Sequence, residues 1–240
     1  MEQPTHVIDP DGEVIIVLRN TDAQFAELND KIQVVAEELN HPKECMETPK
    51  PKLEEEPAMT EEPTETGVDE QQEGVCFRIQ VSAKHLTLAS PVFKNILTRG
   101  WKESVTYLQQ GSVEITAESW DIEALLILLR IIHCQYCHIP RKLTLEVLAK
   151  VAVLAEYYDC REIVQFLGHI WINALEEIIP STDCRALILW LWISWFFQLP
   201  SQFKQATSTA MSWGDNWIDN LGLPIPDNVI SKSRETFNHA

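Results

Sequence analysis

Apolar residues along this chain follow two rhythms, separated by a stretch that has neither. Asp11-Gly12 is a turn signal, and Val14-Ile15-Ile16-Val17-Leu18 after it is a continuous apolar run, the pattern of a fully buried strand. Beyond Asn20 the spacing turns helical: Phe25, Leu28, Ile32, Val35 and Leu39 recur every three or four residues. The run stops short of the sustained heptads of a coiled coil and reads as an amphipathic or marginal helix. From His41 to Glu73 apolar positions almost vanish. Glu54, Glu55, Glu56, Glu61, Glu62 and Glu65 alternate with Pro42, Pro49, Pro51, Pro57 and Pro63. Such a composition cannot bury enough surface to offset its ordering entropy, which predicts a disordered insertion. Loop-closure entropy grows slowly with length, so the two flanks can still belong to one domain.

From Val75 to Gly100 the pattern becomes specific. Phe77, Ile79 and Val81 alternate with Arg78, Gln80 and Ser82, the period of a strand with one buried face. A short helix over 83–89 follows, with Leu86 and Ala89 on one side. Ser90 is placed as the N-cap of a second helix and Pro91 as its first residue, where a missing N–H costs nothing. Phe93, Ile96 and Leu97 continue the buried stripe, and Gly100 stands where a left-handed C-terminal residue is wanted.

Past Gly111, Val113 and Ile115 alternate as a short strand. Ser119 is expected to cap the next helix, with Asp121 and Glu123 in its first turn and Ile122, Leu125, Leu126, Leu129 and Ile132 facing the core. Thr144 caps another, carrying Leu148, Val151, Ala152, Ala155 and Tyr158 inward. Asp159 and Glu162 have capping-box spacing ahead of Ile163, Phe166, Leu167, Ile170, Trp171, Ala174 and Leu175. Three amphipathic helices after the strands predict a helical layer on a small sheet. Pro180 ends that run, and Asp183 can cap the next helix. Ala186 to Leu199 is the most hydrophobic segment, and at 1.5 Å per residue it spans about 21 Å, short of a bilayer's hydrocarbon layer. A buried helix is the reading. Trp190, Trp192 and Trp195 point in several directions around it, so more than one neighbour, or a partner, must cover them. Ser201 starts a further helix with Phe203, Ala206, Thr207 and Ala210 on one face, closing at Gly214. Leu223-Pro224-Ile225-Pro226 is a stiff connector, and Asp227 caps a last short helix through Val229 and Ile230.

The strand, the two short helices broken at Ser90-Pro91 and the run Trp101-Lys102-Glu103-Ser104 resemble the BTB/POZ domain, an α+β protein-interaction module. KHLTLASPVFKNIL and LLRIIHCQYCHIPRKLTLEVL are similar to the BTB proteins abundant in filamentous fungi. Many BTB domains carry His where this chain has Ser82. The resemblance implies a small β-sheet flanked by a cluster of α-helices, split over residues 1–20 and 74–180, with 21–73 inserted and 181–240 as a C-terminal helical extension. Its fold-defining and interaction positions are Val14, Ile16, Phe77, Ile79, Leu86, Ser90, Phe93, Leu97, Trp190, Trp192 and Trp195. It implies a partner that is a second copy or another BTB protein, assembly as an adaptor or scaffold, and, as an alternative, substrate recruitment to a cullin-type ubiquitin ligase. No substrate-reading domain accompanies it.

The bulk numbers narrow the partners and the compartment. A formal net charge of −17 over 240 residues, with pI near 4.7, disfavours nucleic acid, and the nearest basic cluster, Arg141-Lys142, reads as a solvated loop. With a polar N-terminus and no secretory signal, the 6 cysteines read as reduced thiols, so cytoplasm or nucleus is the expected location. Thr48-Pro49 and the acidic run offer a modification site or a lure for a basic partner.

Two constellations carry conceivable chemistry. Cys134-Gln135-Tyr136-Cys137-His138 matches the haem-attachment pattern C-x-x-C-H, but that attachment needs an oxidising compartment with dedicated machinery. The same Cys134, Cys137 and His138, with His133 or Cys160 as a fourth ligand, could hold zinc and make the chain a metal or redox sensor, although the second ligand pair of a structural site is missing. Cysteines packed as small hydrophobes are the simpler expectation. His85 and His169 lie on helices, where a structural role is the commoner one. No G-x-S-x-G, Gly-rich phosphate loop or H-E-x-x-H occurs, so neither a catalytic activity nor a cofactor is expected.

Overall fold

A computed structural model describes residues 3–21, 23–27, 76–176, 178–181, 184–212 and 220–226. Four strands, β1 (His6–Val7), β2 (Val14–Arg19), β3 (Phe77–Val81) and β4 (Val113–Glu118), form one sheet in the order β1-β3-β2-β4. Strand β2 lies antiparallel to β3 and parallel to β4, with Ile16 opposite both Ile79 and Ile115. Pieces of chain far apart in sequence thus pair directly. The fold class is α+β. At the start of β2 the backbone passes very close to its neighbour, since a Cβ on Gly12 would lie 2.5 Å from the Val81 carbonyl carbon. Only glycine permits that approach.

Two short helices follow β3 directly, α1 (Ala83–Ala89) and α2 (Pro91–Thr98). The Ser90 hydroxyl accepts from the Phe93 amide at 3.1 Å and donates to the Tyr158 carbonyl at 2.5 Å, so one buried side chain caps α2 and ties it to a distant helix end. Gly100 and Gly111 both have positive φ, at 76° and 72°. Between them lies α3 (Lys102–Gln110); neither this helix nor β1 is expected from the apolar pattern. After β4 come α4 (Ile122–Ile132), α5 (Leu145–Tyr157) and α6 (Arg161–Ala174). The last two described helices are α7 (Cys184–Phe196) and α8 (Pro200–Ser212).

Thr144 caps α5 as expected, accepting from Val147 N at 3.3 Å. Two other caps are corrected. Ser119 sits at φ 62° and accepts from Asn20 Nδ2, whereas Asp121 caps α4 by accepting from Ala124 N at 3.0 Å. Asp159 takes the left-handed link at φ 50° after α5, one position too early to cap; Cys160 is the residue before α6 and makes no side-chain cap. The expected α4 stripe is also too narrow. Ala124, Ile127, Leu128 and Ile131 are buried besides Leu125, Leu129 and Ile132, because α1, α5 and α6 all pack against α4.

The buried apolar side chains of the sheet and of all these helices except α3 belong to one continuous cluster, which includes Leu187, Trp192 and Phe196 of α7 and Ala206 and Ala210 of α8. Leu221, Leu223 and Ile225 are buried in it too, so the Pro-rich connector is anchored. The two alternatives for the tryptophans are resolved: Trp190 is 5 % and Trp192 0 % exposed, covered by the chain itself, and Trp195 is half-buried. No helix among the described residues is long and apolar enough to cross a membrane. The expected helix through Leu28 to Leu39 (only Phe25, half-buried against the core, is described), the acidic insertion with Thr48-Pro49, the Asp183 cap, the stop at Gly214 and the last helix from Asp227 lie outside the described residues.

Candidate interaction surface

Helix α3 has its polarity inverted. Its buried residue is Ser104, whose hydroxyl donates to the Trp101 carbonyl at 2.8 Å, an i−3 bond that lets a polar side chain face the protein. Tyr107 packs partly against the core. Beside that contact, left uncovered by the described residues, are Trp101 (58 % exposed), the extended N-cap residue just before the helix, and Val105 (44 %) and Leu108 (79 %), which are neighbours three residues apart on the helix surface. Exposed Arg99 and Lys102 flank the row. Isolated exposed apolar residues are ordinary, but an aromatic and two aliphatics in register on a capped helix form a surface that water does not favour. Gly111, left-handed and donating to Tyr107 O at 2.8 Å, fixes the end of α3 against β4.

A smaller apolar pair lies on α6. The stripe predicted from the sequence turns Leu167 and Trp171 to the core, as found, but also Phe166 and Ile170, which are 78 % and 48 % exposed, while Val164 and Gly168 face inward in their place. The inward face is set by Gly168, where a Cβ would come 2.3 Å from the Phe197 ring, and by Trp171, whose Nε1–H donates to Pro140 O at 2.8 Å. Both features rotate the stripe away from Phe166 and Ile170.

The fold-defining positions expected from the sequence fall in the interior. Val14, Ile16, Ile79, Leu86, Ser90, Phe93 and Leu97 are all at most 1 % exposed, and Phe77 is half-buried. Phe93 stacks on Tyr158 with centroids 4.4 Å apart. These residues are in the core, whereas the apolar residues Val105 and Leu108 of α3 are exposed. That helix's only signal in the sequence is the Val105–Leu108 spacing between two glycines, masked by the polar run around it.

The cysteine cluster is not assembled. Cys134, at φ 56°, and Cys137 are exposed on the turn after α4, His138 is exposed, and Cys160 is buried at another helix start. Burial, with Asp159 adding to it, pushes the Cys160 thiol up to about 12. His133 has both ring nitrogens engaged: Nε2 accepts from the Ser82 amide at 3.0 Å, and Nδ1 donates to Leu129 O at 2.7 Å. It cannot serve as a fourth ligand without losing those bonds. Among the described residues no group of three or more His, Cys, Asp or Glu could hold a metal ion. The geometry does not bring these candidate ligands together.

No protein-family model matches the chain, and no curated protein matches it.

A mixed ionic cluster joins three of the helices. Lys150 Nζ lies 2.9 Å from both Asp121 and Glu146, and Arg185 reaches Glu146 and the carbonyls of Phe25 and Ala26. These groups line or border a cavity of about 310 Å³ with Trp120, Phe25 and Leu223 in its wall. Every charge in the cluster has a partner, which marks it as a structural tie between α4, α5 and α7.

His133 gives a pH prediction. Burial holds its pKa below the ordinary 6.5, and His85, stacked on it at 4.8 Å, pushes the same way against the Leu129 carbonyl and Asp9. The unfolded chain then takes up this proton before the native one, so stability is complete above 6.5 and falls as the pH drops through the interval down to the native value. Thermal unfolding between about pH 7.5 and 5.5 should show that loss. It should flatten in His133→Gln, which can accept from Ser82 but does not titrate; an unchanged acid slope would assign the effect to other groups.

Proposed function

We propose that this chain is a BTB/POZ-type protein-interaction module that pairs with itself or with another protein and has no catalytic turnover. The element order supports the fold reading: two core strands brought together from distant sequence, two short helices divided at Ser90-Pro91, a further strand and then a helical layer. The observation that carries the functional reading is the exposed apolar row of Trp101, at the N-cap of α3, with Val105 and Leu108 on a helix that Ser104 and Tyr107 hold to the protein. A rigid apolar row rimmed by cations is what a helix or strand of a partner needs for burial, with Trp101 as the kind of aromatic anchor that dominates interface energy. Sixteen of the 36 acidic residues fall within 21–73 against four of the 19 basic ones, so the charge that opposes self-association is concentrated in that segment of the sequence. Adaptor or scaffold assembly in cytoplasm or nucleus, with a cullin scaffold as one partner class, follows from this reading. No geometry favours the metal-sensing alternative.

Light scattering over a range of concentrations tests self-pairing. The full chain should form a dimer or larger assembly, and Val105→Glu with Leu108→Glu should leave a folded monomer. A wild-type chain that is a monomer throughout removes self-pairing.

A further inference from the structure

A second surface lies at the outer edge of the sheet. Among the described residues, strand β4 has a neighbour on one side only. Val113 N donates to Glu13 O and Ser119 N to Arg19 O, both at 3.0 Å, at the two ends of its ladder with β2. Strand alternation then turns the amides and carbonyls of Glu114, Thr116 and Glu118 to the far side. No described residue bonds to them. The side chains of these three residues are exposed, while Val113, Ile115 and Ala117 are buried beneath. The edge is therefore a fixed ribbon of three donors and three acceptors, held in place by the core, with carboxylates at either end. Glu114 already pairs with Arg78 through one oxygen, and Glu118 has no charged partner among the described residues.

We propose that the edge of β4 binds an extended, Lys- or Arg-bearing segment of a partner protein as an added strand, its cations opposite Glu114 and Glu118. Main-chain bonds would supply affinity and the alternating charges the register, as in other strand-addition complexes. The same charges argue against a second copy. Antiparallel pairing of two β4 edges over their full length places Glu114 opposite Glu118 twice, and like charges directly opposite are destabilising. The edge offers main-chain groups of β4 and the α3 row offers side chains, so each surface has its own variants and either can fail without the other.

The test uses the full chain and the peptide acetyl-Lys-Val-Lys-Val-Lys-Val-amide. Residue-resolved amide exchange should be fast at Glu114, Thr116 and Glu118 in the free chain and slowed there, and not on α3, when the peptide is added. Thr116→Pro deletes an outward N–H but no bond to β2, and Pro is tolerated on edge strands; it should weaken peptide binding about tenfold, the worth of one hydrogen bond. Glu118→Lys should weaken it similarly and admit the Glu-Val counterpart. Three outcomes overturn the proposal: outward amides already protected in the free chain, those amides protected in a dimer formed by the chain itself, or peptide binding indifferent to both Thr116→Pro and Glu118→Lys. The exchange experiment needs no variant, so a misfolded substitution does not shelter the idea.

Discussion

Ending the chain after Pro180 is expected to abolish cooperative unfolding altogether. The residues removed include α7, in which Leu187, Ile188, Leu189, Trp190, Leu191, Trp192, Ile193 and Phe196 are each at most 5 % exposed. A helix buried on every side is a core element whatever its place in the sequence. Its loss would bare the face of α5 that Trp192 now covers, where the indole Nε1–H donates to Ala149 O at 3.2 Å. It would also release Phe25 and Ala26, whose carbonyls accept from Arg185 at 3.1 and 3.0 Å. The shortened chain should lose its sharp thermal transition and bind a dye specific for exposed apolar surface. A retained sharp transition would make α7 and α8 a separable appendage. Trp192→Ala is the graded version, expected to cost about 3–5 kcal/mol, as large aromatic truncations in cores do.

Phe93→Ala is the second large effect, and it probes the other half of the molecule. Phe93 is 1 % exposed on α2 and lies flat on Tyr158, the rings tilted by only 9°. The Ser90 hydroxyl joins the same two elements. Removing the ring leaves a cavity between α2 and the end of α5 that neither can close, because the Ser90 bond holds them at a fixed separation. The expected cost is again about 3–5 kcal/mol, read from denaturant midpoints at constant m-value. A cost below about 1 kcal/mol would mean that the site collapses or that the ring is not in the core. Phe93 stacks on Tyr158 and Trp192 on Trp195, with no ring in common, so the two effects should add.

Legibility in the sequence divides along physical lines. Period-two alternation at Phe77, Ile79 and Val81 and the Ser90-Pro91 start are local signals, and each stands in the structure where the sequence puts it. The pairing of Ile16 with Ile79 is legible because a run as apolar as 14–18 needs neighbours on both sides. Three failures have one cause, that tertiary context decides among locally equivalent choices. Ser119 and Asp121 are both good caps, and the left-handed turn that joins Ser119 to Asn20 selects Asp121. Phe166 fits a helical stripe as well as Val164 does, until Gly168 meets the Phe197 ring and sets the rotation of α6. Helix α3 is invisible in the pattern since its inward residue is Ser104 and its apolar residues face out, the reverse of the arrangement by which helices are found. The face that carries the functional reading is therefore the one that hydrophobic patterning hides.

Capture of partners from the native cell, with the full chain and the Val105→Glu, Leu108→Glu variant compared at equal amounts, tests the central claim most directly. Both positions are exposed, so the variant should unfold at the wild-type temperature. The account predicts at least one protein recovered at near-stoichiometric amount with the wild type and lost with the variant. The same set of proteins in the same amounts from both baits would contradict it.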